Sequence, residues 1–206
     1  MAIKKVGTQT VKMENPPSII STATIVGPKE GDGPLKDYFD LILQDDLWEQ
    51  ESWEKSENKM QEEVIKMALT KANLSEGNMD YLFSGDLLNQ IIVSSYSARQ
   101  LSIPYFGLYG ACSTMTESLS LGSMAIDGGF ADKVVCCTSS HFSTAERQYR
   151  YPLEFGTQRT FSAQWTVTGA GASILSNAGN GPYITYVTTG RVIDPGIIDV
   201  NNMGAA

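Results

Sequence analysis

From Ser52 to Asn73 the apolar residues Met60, Val64, Met67, Ala68 and Ala72 recur at steps of three and four, which lays one apolar stripe along a helix. Acids crowd its start and Lys66 and Lys71 its end, as the helix dipole favours. Ahead of it, Ser18 to Val26 is rich in Ile and Thr and reads as a strand, and Pro28-Lys29-Glu30-Gly31-Asp32-Gly33-Pro34 reads as a loop. Downstream the pattern alternates. A strand is predicted at Asp80 to Ser84, a helix near Ile91 to Leu101, a strand at Tyr105 to Tyr109, a helix from about Ser113 to Asp127 and a strand at Lys133 to Thr138. After a loop rich in aromatic and basic residues, His141 to Trp165, strand-like sequence returns at Thr166 to Ser176 and Tyr183 to Arg191.

Strand-helix alternation predicts an α/β fold with a mainly parallel central sheet and right-handed crossovers. In such a sheet the loops at the carboxyl ends of the strands form the binding edge, which here selects Gly85-Asp86, Gly110-Ala111-Cys112 and Ser139-Ser140-His141. The helix from Thr114 to Asp127 carries only Glu117 as a charge before its last residue. It is therefore expected to be buried on most sides, with Gly122 and Ser123 allowing another element to approach closely.

Composition narrows the chemistry. With 206 residues and 42% hydrophobic content the chain can bury a real core. Its net charge of −8 arises within Lys29 to Glu63, which holds 12 acids and 4 bases, so a nucleic acid is not the expected partner. No apolar run reaches the ~18 residues of a membrane span. Cysteines at 112, 136 and 137 form neither a disulfide framework nor a metal pattern, and a reducing compartment is the default. Trp48 and Trp53, set among acids, mark either a partner surface or a helical face with two packed indoles.

Cys112 opens a helix behind Gly110-Ala111, where amides and dipole favour a thiolate or a bound anion; the alternative is a small buried cysteine. His141 is the sole imidazole and stands beyond a strand end, as a base or anion donor or as a structural histidine.

Three segments resemble the first half of the thiolase-fold condensing enzymes: Ser97-Ala98-Arg99-Gln100-Leu101-Ser102-Ile103-Pro104, Gly110-Ala111-Cys112-Ser113-Thr114, and Ala125-Ile126-Asp127-Gly128-Gly129-Phe130-Ala131-Asp132-Lys133-Val134-Val135. The resemblance makes Cys112 the position of the acyl-accepting nucleophile and Thr168 to Ala172 the Gly-rich strand turn. More closely, Gly27 to Leu35, Gly85-Asp86-Leu87-Leu88-Asn89-Gln90 and Thr138 to His141 through Thr144 to Pro152 resemble the stage V sporulation protein AD family, from near residue 7 to the last residues.

That family resemblance implies a thiolase-like layered fold, binding of dipicolinate and its uptake into the developing spore. It also implies a peripheral place on the cytoplasmic face of the spore inner membrane beside membrane-bound proteins of the same operon, and a homodimer. Residues 1–206 then read as the N-terminal thiolase-like half, with an acidic helical insertion at about 35–60 and the second half absent from the chain. Condensing enzymes draw their catalytic His and Asn, or two His, from that second half, and no His follows residue 141.

A flat pyridine with two carboxylates asks for amide or cationic donors at both ends and an apolar slot between them. On this reading Cys112 and Ser113 meet one carboxylate, His141 or Arg147 the other, with Ser140 and Asn89 beside them; Phe142, Tyr149 or Tyr151 flank the ring. Asp86 is a contact to a ligand-bound calcium or a structural cap, and no other cofactor or protein-held metal is expected. The alternatives are an acyltransferase or condensing enzyme of the ketoacyl synthase or thiolase type with Cys112 as nucleophile, and a scaffold acting through the acidic Trp-bearing segment.

Overall fold

The computed structural model describes residues 3–147, 166–196 and 198. Its centre is a six-stranded sheet built from β2 (Ser18–Val26), β3 (Leu41–Ile42), β4 (Tyr81–Gly85), β5 (Tyr105–Gly107), β6 (Lys133–Ser140) and β7 (Gly169–Ser176), in the order β3-β2-β7-β6-β4-β5. β4 pairs in parallel with β5 and β6, and β2 with β3. β7 runs antiparallel to both β2 and β6, so the sheet is mixed: the strand predicted at Thr166 to Ser176 forms, but against the direction of its neighbours.

Both faces of the sheet are covered, which is why the central parallel strands β4 and β6 read as apolar runs rather than alternating ones. One face carries α2 (Trp53–Lys71) and α3 (Ile92–Leu101). Met60, Val64, Ile65 and Ala68 of α2 pack there with Ile25, Leu82, Val135, Cys137 and Ile174. The other face carries α4 (Thr114–Asp127), and Phe83, Val134, Cys136 and Leu175 point toward it. Successive residues of β4, β6 and β7 thus feed opposite cores, as the two-residue period of a strand requires. Gly122 brings α4 onto the sheet: a Cβ there would stand 2.9 Å from Cys136 Sγ and 3.0 Å from Val134 Cγ2.

Several boundaries differ from the sequence expectation. α2 starts one residue later than predicted because Ser52 caps it, its hydroxyl accepting from Lys55 N at 3.2 Å. Pro28–Gly31 is a one-turn helix, α1, where a loop was expected; a proline pre-set for a first helical turn explains it. Of the stretch 35–60, expected to be helical, only the 3₁₀ turn Lys36–Tyr38 and the start of α2 are, with β3 and an extended loop between them. Tyr183 to Arg191 contributes only β8 (Tyr186–Thr188), which pairs antiparallel with β1 (Thr10–Lys12) in a separate two-stranded sheet. α4 buries Thr114, Ser118, Gly122, Ser123, Ile126 and Asp127, while Thr116 and Leu121 stay exposed, so it is covered on one face rather than most sides.

The loop from His141 onward opens with α5 (Phe142–Arg147); its remainder to Trp165 lies outside the described residues. Trp48 and Trp53 are both packed. The Trp48 ring leans on the α2 core under Lys59 Nζ, 4.4 Å from its centroid, and Trp53 stacks on His141 with centroids 6.4 Å apart.

Candidate functional site

Parallel register sets Gly85 beside Thr138 and Ser84 beside Gly107, so the carboxyl ends of β4, β5 and β6 do reach one edge. Gly85 has to be glycine there, since a Cβ would stand 2.1 Å from Leu108 O. β7 begins at the same edge, with Gly169 opposite both Val26 and Ser140.

Cys112 lies in the single 3₁₀ turn Ala111–Ser113 that leads into α4, and its side chain is exposed. Ala111 before it has φ +47°, a left-handed conformation that a non-glycine residue holds only when its surroundings enforce it. The enforcing contacts are local. Ser113 Oγ donates to Gly110 O at 2.7 Å, and Thr114 Oγ1 donates to Ala111 O at 2.8 Å while accepting from Gly110 N at 3.3 Å. Ser113 is therefore at the site but its hydroxyl is engaged.

Glu117, one turn into α4, was not among the expected site residues. A Cβ at Gly110 would stand 2.3 Å from Glu117 Oε2, and that buried oxygen has no hydrogen-bond partner among the described residues. Its place in the sequence as the lone charge of an otherwise uncharged helix was the available signal.

His141 is buried and both ring nitrogens are engaged, so it does not stand at the edge as an available donor. Ser143 N donates to Nδ1 at 3.2 Å, which leaves the proton on Nε2, and Nε2 donates to Asp46 O at 2.9 Å. Burial holds its pKa below the ordinary histidine value, so the ring is neutral. The reason is the loop at Asp46, 95 residues away in sequence, which folds over the imidazole.

Asp86 is likewise buried, with Oδ1 accepting from Leu88 N at 2.9 Å and Oδ2 from Ser94 N at 2.8 Å. These contacts cap the entry to α3, and burial pushes its carboxyl up from the ordinary value. Ser140 donates its hydroxyl to Val167 O, which fastens the end of β6 to the start of β7. The backbones of Asn89 and Arg147 fall in a 3₁₀ turn before α3 and at the end of α5; their side chains lie outside what the structure describes.

Behind this edge sits a buried polar cluster that sequence reading missed. Glu57 of α2 is fully buried; its Oε1 accepts from Ser139 Oγ at 3.0 Å and its Oε2 from Thr144 Oγ1 at 2.7 Å. Gln61 Nε2 donates to Ser94 Oγ at 3.0 Å and to Ser139 Oγ at 3.1 Å. Burial, with Asp86 nearby, pushes the Glu57 carboxyl up to about 7. The signal was present: Glu57 lies seven residues before Val64 and so on the buried stripe of α2, but an acid in an acidic run reads as solvated.

The arrangement offers an exposed thiol at the start of a 14-residue helix, and a sole imidazole locked in a structural role. The other two thiols are buried; Cys137 is pushed up to about 12 and Cys136 higher still, so neither competes as a nucleophile. Among the described residues no group of three or more His, Cys, Asp or Glu side chains is arranged to hold a metal.

A family described as Stage V sporulation protein AD matches residues 7–206. The Stage V sporulation protein AD of Bacillus subtilis (strain 168) is 44% identical over 204 residues, which cover 99% of this chain and 60% of that protein. The chain thus spans about 60% of the length of the curated relative it matches. Among solved structures, 3-oxoacyl-[acyl-carrier-protein] synthase III from Aquifex aeolicus VF5 aligns with a TM-score of 0.55 at 19% identity, over 80% of this chain and 55% of that one. Cerulenin-bound OleA from Xanthomonas campestris aligns with a TM-score of 0.52 at 15% identity, over 78% and 57%. At such identities these likenesses speak to the fold, a thiolase-like α/β layering of which the chain covers about half.

Exposure separates Cys112 from the other two thiols. Under native conditions a thiol reagent should modify one equivalent per chain, rising to three after denaturation, and Cys112→Ser should abolish the native equivalent. Rapid native labelling of a second site would contradict this burial pattern.

Proposed function

The chain belongs to the stage V sporulation protein AD family, and from that premise we propose that it is a sporulation protein whose thiolase-like scaffold binds dipicolinic acid, pyridine-2,6-dicarboxylate, and supports its uptake into the developing spore. The observation that carries the reading is the contrast between the exposed Cys112 and the sealed His141. The edge keeps an anion-friendly helix start, while the chain's sole imidazole is spent on structure and is not free to act as a general base.

In this reading the helix start at Cys112, in a turn that Ser113 braces through Gly110 O, meets one carboxylate, and Arg147 with Asn89 from the matched motifs serves the other, while Ser140 holds the edge beside them through Val167 O. A bare dianion beside Glu117 would be repelled, so the ligand enters with calcium. Glu117 Oε2, which has no hydrogen-bond partner among the described residues, faces the calcium, and Asp86 serves as the structural cap. His141 supports the site from behind, by holding the Asp46 loop, rather than by touching the ligand.

The condensing-enzyme alternative is favoured by one observation, the exposed thiol at a strained turn ahead of a helix, and it needs an imidazole from outside this chain.

We further read the chain as a peripheral protein of the spore inner membrane's cytoplasmic face, acting with membrane-bound partners of its operon; no helix among the described residues is long and apolar enough to cross a membrane. A homodimer would form through the edge strand β5 and the residues just after it, where Phe106 and Tyr109 stand about half exposed.

Isothermal titration with dipicolinate should give saturable binding that calcium strengthens. Cys112→Trp and Arg147→Ala should each weaken it at least about tenfold, or about 1.4 kcal/mol, and Glu117→Gln should remove the calcium effect. Absence of heat with and without calcium would overturn the reading. Sedimentation should give a dimer that Phe106→Glu dissociates; a wild-type monomer at high concentration would exclude the β5 contact.

A further inference from the structure

The connection from β7 to β8 runs through Asn177-Ala178-Gly179-Asn180-Gly181-Pro182-Tyr183 and is pressed against the start of β2. Ile19 N donates to Pro182 O at 2.8 Å, Ile184 N to Pro17 O at 3.0 Å and Tyr183 Oη to Gly179 O at 2.6 Å, while Ser18 and Tyr183 form an antiparallel bridge. This packing dictates both glycines. A Cβ at Gly179 would stand 2.7 Å from Ser18 Oγ and from Ile20 Cγ2, and one at Gly181 would stand 2.3 Å from Ile19 O. Asn180 stands between them, exposed to water.

Asn180 is the only asparagine in the chain followed by glycine. Such a pair closes readily into an imide, because glycine has no Cβ to shield its nitrogen or to restrict the backbone angles the ring needs. A larger residue at 181 would remove the lability, but the contact with Ile19 O opposes one, so the fold itself retains the reactive pair. The same fold restrains it. Gly181 N donates to Ser18 Oγ at 3.1 Å, and Ser18 is buried, so the nitrogen that must attack is held toward β2 with its hydrogen engaged.

We propose that Asn180 is a site of spontaneous deamidation and isomerisation, gated by the hydrogen bond from Gly181 N to Ser18 Oγ.

When the turn lifts off β2, the Gly181 amide gives its proton to solvent and its nitrogen attacks Asn180 Cγ. The new N–C bond closes a five-membered succinimide, and the side-chain nitrogen takes up a proton and leaves as ammonia. Water then opens the ring. Attack at Cγ gives aspartate, and attack at the main-chain carbonyl gives isoaspartate; water is the sole co-reactant. Either product adds one negative charge. Isoaspartate also puts an extra methylene into the backbone between two glycines held by close contacts, so the strap comes off the start of β2. Asn177 in the same turn is an internal reference: it precedes Ala178, and its Nδ2 donates to Asp132 Oδ1. The inference does not depend on which ligand the candidate edge takes.

Incubation of the full chain at neutral pH and physiological temperature, followed by peptide mapping of residues 177–183, tests this. When the urea-unfolded chain has converted fully at position 180, the native wild type should be part-converted, with Asn177 intact. Ser18→Ala should convert at least about threefold faster than wild type, the effect of losing one hydrogen bond, and Ser18→Thr, which keeps a hydroxyl, should hold the wild-type rate. The isoaspartate form, separated by chromatography, should exchange the Ile19 and Ile184 amides faster than the unmodified chain. A native chain still unconverted at that point overturns the site. Equal rates in the native and unfolded chain, or equal acceleration by Ser18→Ala and Ser18→Thr, overturn the gate. Unchanged exchange in the isoaspartate form contradicts the release of the strap.

Discussion

Parallel pairing of β4 with β5 on one side and β6 on the other puts three chain reversals on the same edge of the sheet, and the rest of the site depends on that constraint. Parallel strands need both faces covered, so α2 and α3 lie on one side and α4 on the other, and the apolar runs of β4 and β6 feed both cores at once. Once α4 must return along the sheet, its N-terminus has to start at the edge. The turn that feeds it is tight enough to force Ala111 to a left-handed conformation and to leave the Cys112 side chain facing outward. The exposed thiol is thus a consequence of the crossover rather than an isolated feature.

What stands behind the edge is polar, not apolar. Glu57, Gln61, Ser94, Ser139 and Thr144 link α2, α3, β6 and α5 through side chains buried from water. Such a cluster contributes little net stability compared with an apolar core, but it specifies one arrangement of the elements it joins.

Much of the scaffold was legible from the chain. Ser18 to Val26, Asp80 to Ser84 and Lys133 onward are dense in β-branched or apolar residues between turn signals, and the stripe of Met60, Val64 and Ala68 announced α2. The resemblance carried the family and the layered fold. The direction of β7 was not legible, because periodicity fixes which face a residue takes but not which way a strand enters a sheet. The site was read less well for a related reason. His141 and Asp86 were located at the correct edge, yet whether a polar side chain points outward depends on partners remote in sequence, Asp46 for the imidazole and the Leu88 and Ser94 amides for the carboxylate. Glu57 and Glu117 were passed over because charge alone does not disclose burial.

The proposed function requires a flat diacid to bind over Cys112, so the most direct measurement is the rate of Cys112 alkylation with and without dipicolinate and calcium. Ligand at ten times its dissociation constant should slow the reaction by about tenfold, because the bound ring covers the sulfur. An unchanged rate, together with a stable acyl adduct on Cys112 after incubation with an acyl thioester, would contradict the account and return the thiol to condensation chemistry.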